Sequence, residues 1–221
     1  MHSLKKALSI FPARLVEIFN FVVLYNEFRY KRRAIYTVKD TKGEPLGEHT
    51  DQIAMAAMFI RDRFLPHLNA EKVLRYALLH DLVEVYGGDT PAFPDKDGAF
   101  GLDVVVDHTT KKEREHKALE RLKRELDWPE AFATIETYEQ KADEESRFVY
   151  ALDKFIADLN IFEDGGRTNR VLKVTYEEKL EYKWHKIAEH PFLLDLYGEF
   201  CRYCKEHESE LYFQPTETAA E

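Results

Sequence analysis

The sequence predicts an all-α protein, on three observations. Glycine and proline are sparse, nine and eight in 221 residues. Apolar residues recur three and four positions apart through most of the chain, the spacing of one helix face. Residues that start helices, such as Pro12, Asn69, Thr110 and Pro129, stand where those periodic stretches begin. There are no internal repeats and no low-complexity linker, so residues 1–207 read as a single domain.

The elements follow in order. A first helix opens at Pro12 and runs to about Phe28; its Phe11, Phe19, Phe21 and Tyr25 read as core or as a dimer surface. Residues 29–47 are polar, and Lys42-Gly43-Glu44-Pro45 marks a loop or short hairpin. A second helix spans about Glu48 to Phe64, and a third starts after Asn69 as N-cap and reaches Val85. Gly87-Gly88-Asp89-Thr90-Pro91 breaks the chain, and residues 86–108 are expected to form an ordered functional loop.

Thr110-Lys111-Lys112-Glu113 resembles a capping box opening a helix to about Leu126, with Lys111 to Arg114 on a solvated face. Pro129 begins a short helix to Tyr138, and another runs from Asp143 to Phe162 before Gly165-Gly166. Tyr176 to Glu189 and Pro191 to His207 form the last two. Residues 208–221 are expected to be a disordered tail.

Composition narrows the function. Hydrophobic residues make up 44% of the chain, enough for one substantial core. The net charge of −9 argues against a nucleic-acid polymer as partner, but leaves room for a small phosphorylated substrate. No run approaches the roughly 20 apolar residues of a membrane span, and the short Ile18–Leu24 stretch is followed by Asn26-Glu27. With no signal peptide and only two cysteines, the expectation is a cytoplasmic protein without membrane association. Cys201-Arg202-Tyr203-Cys204, with His207 beyond it, reads as reduced thiols on an amphipathic helix rather than a zinc site.

Chemistry concentrates on three inward stripes. In the third helix Val73, Leu74 and Ala77 point to the core, and His80-Asp81 continue that stripe. In the second, His49 extends the stripe of Ile53, Ala56, Ala57, Ile60 and Phe64. In the helix from Asp143, Asp153 sits at the edge of the stripe Val149, Leu152, Phe155, Ile156 and Leu159. A lone inward His or Asp is usually a hydrogen-bonded core residue. Two imidazoles and two carboxylates meeting in one cavity would instead hold a divalent cation, whose charge offsets the cost of burying the carboxylates. Both readings stand at this point. Glu84, three and four residues after Asp81 and His80, shares their face; it reads either as a group that moves a proton or as an exposed helix-end carboxylate. Asp89 lies in a Gly-rich turn, where an Asp ordinarily only shapes the turn.

The order His49…His80-Asp81…Asp153 is similar to that of the HD-domain metal-dependent phosphohydrolases, and within them to the bacterial 5'-deoxynucleotidases and their eukaryotic relatives. Supporting stretches are Glu48-His49-Thr50, Ala77 to Glu84, Gly88-Asp89-Thr90-Pro91, Lys112-Glu113-Arg114-Glu115 with Ala118-Leu119, and Glu145 to Lys154. They cover about residues 48–160; the HDxxE followed by GDxP is the more specific part.

The resemblance implies an HD-domain helical bundle and one divalent ion (Co, Mn, Zn, Fe, Mg or Ni) on His49, His80, Asp81 and Asp153. It implies hydrolysis of nucleoside 5'-monophosphates, Glu84 and Asp89 as catalytic groups, and Asp89 and Thr90 at the substrate. An upstream arginine binds phosphate in this family, and of Arg29, Arg32 and Arg33 the last is preferred. A homodimer is also implied. The family's Arg-Trp or Gly-Trp context is absent, and the segment from Arg33 to His49, residues 95–107 and the C-terminal third depart from its pattern. The alternative is a two-metal HD oxygenase or cyclic-dinucleotide phosphodiesterase, with His108 or His116 as extra ligand.

Overall fold

The computed structural model describes residues 10–38, 42–95, 97–98 and 108–215. Helix α1 spans Ala13–Arg29, α2 Leu46–Phe64, α3 Ala70–Leu79 and α4 Glu84–Gly87. Helix α5 is His108–Glu125, α6 Pro129–Glu139, α7 Glu144–Glu163 and α8 Arg167–Val171. Helices α9 Tyr176–Ile187, α10 Pro191–Glu206 and α11 Glu208–Leu211 complete the chain. The all-α expectation holds.

Local chemistry sets several boundaries. The Asn69 side chain accepts from the Lys72 N–H at the start of α3. Asp143 and Ser146 form a reciprocal capping box at α7, and Thr175 and Glu178 do the same at α9. Helix α5 starts at His108, two residues before the expected box, and the Thr110 side chain lies outside the described residues.

Helix α7 is the axis of the bundle. Phe148, Val149, Ala151 and Leu152 are at most 1% exposed, and the main core gathers Ile53, Ala57, Val73, Ala77, Ile187, Leu193 and Tyr197 around them. Burial of this kind contributes about 1.5–3 kcal/mol per large apolar side chain. A second cluster joins Leu24 and Phe28 of α1 to Leu46, Leu82, Val85, Leu122 and Ile135. Phe21 meets Trp128 edge-on at 5.6 Å, while Phe11 and Tyr25 face outward. Phe64, placed on the inward stripe of α2 by periodicity, is exposed, because the α2 contacts end near Ile60 and the chain turns at Leu65. No helix of the described residues is long and apolar enough to cross a membrane.

Two expectations are corrected. The third helix does not continue to Val85: it ends at Leu79, and the N–H groups of Leu82, Glu84 and Val85 bond three residues back. The residues from 208 are not a loose tail throughout. Helix α11 forms there, and Leu211 and Tyr212 bury against Cys204, Tyr176 and Phe200. Three consecutive apolar residues, Leu211 to Phe213, in a short acidic stretch create no periodic signal. Residues 216–221 lie outside the described part.

Gly166 explains how α11 docks. Its φ is +75°, and a Cβ there would sit 2.2 Å from the Leu211 carbonyl oxygen. Gly166→Ala is expected to destabilise the protein by more than the roughly 1–3 kcal/mol of left-handed strain alone. Urea unfolding, with limited proteolysis of the C-terminal segment, measures this; an unchanged midpoint would contradict the packing described.

Candidate metal centre

Four segments supply the site. Residues 31–35 and 44–46 run antiparallel: Arg33 N–H donates to the Glu44 carbonyl (2.9 Å), Glu44 N–H to Ile35 (2.9 Å) and Leu46 N–H to Lys31 (2.8 Å). This pinch sets Arg33 and Glu44 side by side beneath the first turn of α2, where His49 is fully buried. His80 and Asp81 occupy the break after α3. Because that break is built from tight three-residue turns, Asp81 and Glu84 stay on one side without a continuous helix. Asp153 comes from the middle of α7, 1% exposed.

The predicted ligands converge. Asp81 Oδ2 lies 3.0 Å from His80 Nε2 and 3.5 Å from His49 Nε2, and Asp153 Oδ1 lies 3.1 Å from His49 Nε2. These are the separations of neighbouring ligands on an ion with bonds of about 2.1 Å. His49 Nε2, His80 Nε2 and Asp153 Oδ1 are buried without a hydrogen-bond partner. Their opposite atoms are occupied. His80 Nδ1 bonds the Ala77 carbonyl at 2.9 Å, His49 Nδ1 faces Glu44 Oε2 at 3.4 Å and abuts Arg33, and Asp153 Oδ2 pairs with Lys154. The Ala77 carbonyl thus accepts an Nδ1 proton from His80, leaving its Nε2 as the lone-pair donor a metal requires; at His49, Glu44 can accept an Nδ1 proton, while Arg33, a donor only, competes for the same nitrogen. Nitrogen and oxygen donors of this kind fit a borderline divalent cation. Among the described residues, His49, His80 and Asp153 form the one group of at least three His, Cys, Asp or Glu at metal-ligand spacing.

Burial opposes charge throughout the site, and neighbours decide which groups keep it. At Asp153 burial raises the pKa, but Lys154, His49 and Arg33 outweigh it and hold the carboxyl well below its usual range. His80 and His49 do the same for Asp81. Glu84 moves the other way: burial, then repulsion from Asp81 and Asp89, pushes it well above the ordinary glutamate value. Asp89 is raised by burial and by Asp81, against the pull of Arg33.

Glu84, Asp89, Thr90 and Arg33 all line the pocket that holds His80, Asp81 and Asp153. Arg33 is the nearest of the three candidate arginines, paired with Glu44 (3.2 Å) and Asp153 (3.5 Å). Arg29 bonds Tyr30, and Arg32 bonds the Gly43 carbonyl. Thr90 Oγ1 accepts from Arg114 at 2.8 Å. Of the extra histidines, His116 is exposed, and the side chain of His108 lies outside the described residues. Burial pushes the Cys201 and Cys204 thiols up to about 12 and 11, and the His207 ring stacks on Tyr203.

A model of the HD domain matches residues 26–197. The chain belongs to the HD-domain family. It is 30% identical over 132 residues to a 5'-deoxynucleotidase of Erwinia tasmaniensis, across 58% of this chain. The match spans 64% of that relative's length, a little under two thirds. The fold is similar to the crystal structure of a predicted metal-dependent phosphohydrolase from Magnetospirillum magnetotacticum, with a TM-score of 0.72 at 25% identity over 90% of this chain and 96% of that one.

Sequence reasoning missed several groups in this HD-domain site. Glu44 carries no pattern that links it to His49. Lys154 stands next to Asp153, and adjacent helix residues do not ordinarily share a face, yet its long side chain curls back to the carboxylate. Lys111 and Arg114, expected on a solvated face, turn to the pocket and to Thr90, because α5 packs over the Gly88–Pro91 turn.

A divalent ion is expected to stabilise the chain by about 2.7 kcal/mol at a hundredfold excess over its dissociation constant. Thermal melts with and without Mn²⁺ test this; an equal rise in Asp153→Asn would remove the residue from the ligand set. At His49, burial and Arg33 lower the pKa, but the facing carboxylates of Asp153 and Glu44 leave it above its ordinary 6.5. In the metal-free protein that contribution is complete below 6.5 and fades as pH rises through the folded value. An ion competes with that proton, so the Mn²⁺-induced rise in Tm should be larger at about pH 8 than at about pH 6.

Proposed function

We propose that this chain is a metal-dependent phosphohydrolase that converts nucleoside 5'-monophosphates, deoxynucleotides among them, to nucleoside and phosphate. The observation that carries the reading is the convergence of three unpartnered buried donor atoms, on His49, His80 and Asp153, the last two of which line one pocket with Glu84 and Asp89. The similarity to a 5'-deoxynucleotidase supports the substrate class.

His49, His80, Asp81 and Asp153 would hold one divalent ion. When bound, it supplies Lewis acidity toward a phosphoryl oxygen and a nearby water. Arg33 faces the phosphoryl oxygens, and its planar guanidinium suits their geometry. Asp89, with Thr90 beside it, accepts a hydrogen bond from the sugar or from the attacking water. Glu84 handles the proton. Its raised pKa favours the protonated form, which can donate to the departing 5' oxygen; the ionised form can take a proton from water once a cation reduces the repulsion from Asp81.

The cytoplasm is the expected setting. A second copy of the chain would cover the exposed apolar residues of α1, Leu15, Ile18 and Val22 among them; light scattering on the eluted protein decides this.

Phosphate release from a panel of ribo- and deoxynucleoside 5'-monophosphates, with Mn²⁺ or Co²⁺ present, tests the activity. Release is expected from at least one member and is abolished in Asp81→Ala. Glu84→Gln should lower kcat by about 10²–10⁴-fold while the bound metal is retained. Absence of release from every nucleotide by metal-loaded protein would sink the reading.

A further inference from the structure

A divalent ion on two imidazoles and two carboxylates presents no net charge to a ligand, because Asp81 and Asp153 cancel it. A phosphate monoester brings about −1.5 to −2 at neutral pH. Arg33 is already engaged by Glu44 and Asp153, and Glu84 and Asp89 add carboxyl groups to the same pocket. Binding a dianion there calls for more positive charge than one arginine supplies.

Four lysines line the pocket: Lys111, Lys154, Lys179 and Lys183. Two are fully committed. Lys179 and Lys183 flank Asp158 at 2.9 and 3.3 Å, with side chains only 6% and 5% exposed. Lys179 also reaches Asn169 Oδ1, and Lys183 donates to the Lys154 carbonyl.

The other two are open to the pocket. The side chain of Lys111, on α5, is 38% exposed, and that of Lys154, on α7, is 25% exposed. Each engages one carboxylate, Glu115 at 3.3 Å for Lys111 and Asp153 for Lys154. An ammonium has three donors, so each retains N–H groups for a ligand. Both line one pocket with Arg33, Asp81 and Asp89, so three cations border one space beside the ligand cluster.

We propose that Lys111 and Lys154 bind the substrate's phosphoryl group and complete, with Arg33, a cradle for a phosphate dianion beside the His49–His80–Asp81–Asp153 cluster. The role in turnover rests on the phosphohydrolase reading; the anion site does not. A cradle with this charge favours monoesters, which are dianions, over diesters, which carry a single charge.

Titration calorimetry of inorganic phosphate into Mn²⁺-loaded protein tests the pair, with uncharged adenosine as control. Lys111→Gln and Lys154→Gln should each weaken phosphate binding by about tenfold or more. Adenosine binding should be unaffected. For a nucleotide that is turned over, KM should rise in both variants. Lys111 touches no member of the ligand cluster, so Lys111→Gln should keep the wild-type metal content. Lys154→Gln can disturb Asp153, and Lys154→Arg, which restores the charge, should recover phosphate affinity.

Wild-type protein that binds no phosphate overturns the proposal, as do variants that keep wild-type affinity with metal bound. Lysine-dependent phosphate binding without hydrolysis of any nucleotide would remove the phosphohydrolase reading and leave the anion site. Nucleotide hydrolysis with unchanged phosphate affinity in the variants would do the reverse.

Discussion

His49 Nε2, His80 Nε2 and Asp153 Oδ1 are buried and face one another with no hydrogen-bond partner. Leaving such atoms unsatisfied costs roughly 1–3 kcal/mol each, and proteins tolerate that where the atoms await a ligand. The surrounding architecture keeps them there. Helix α7 carries Asp153 through the densest part of the core, α3 delivers His80 at its end, and the pinch between residues 31–35 and 44–46 sets Glu44 against His49.

A shell of charged groups lies around that cluster and separates its titrations. Asp153 and Asp81 stay ionised because cations and imidazoles outweigh their burial. Glu84, a few residues away, is pushed toward its neutral form by burial and then by Asp81 and Asp89. Carboxylates in one pocket thus divide into groups held ionised and a group pushed toward protonation through environment alone. Asn160 extends the scaffold outward, donating to Glu44 and Gln52, so the orientation of His49 is tied to α7 by a second route.

Much of this was legible in the residues. The helices lie close to where periodicity and caps place them, since an amphipathic stripe is a property of the local chain. The four ligand candidates fell on inward faces for the same reason, and the HDxxE and GDxP spacings narrowed the chemistry. Less legible were features created by side chains that reach across elements. Lys154 meets Asp153 against the helical rule, and Lys111 turns inward because α5 crosses the Gly88–Pro91 turn. Leu211 and Tyr212 dock only because Gly166 leaves space for the chain.

The sequence by itself determined an all-α domain and a set of two imidazoles and two carboxylates on core-facing stripes, because helical periodicity fixes which side of an element a residue takes. Only the tertiary structure decided that these stripes meet at 3.1–3.5 Å, that Arg33 rather than Arg29 or Arg32 faces them, that Glu44 sits against His49, and that Lys111 and Lys154 line the pocket. Those facts depend on how helices cross and where loops close. Long-range packing sets that geometry, and no local spacing encodes it.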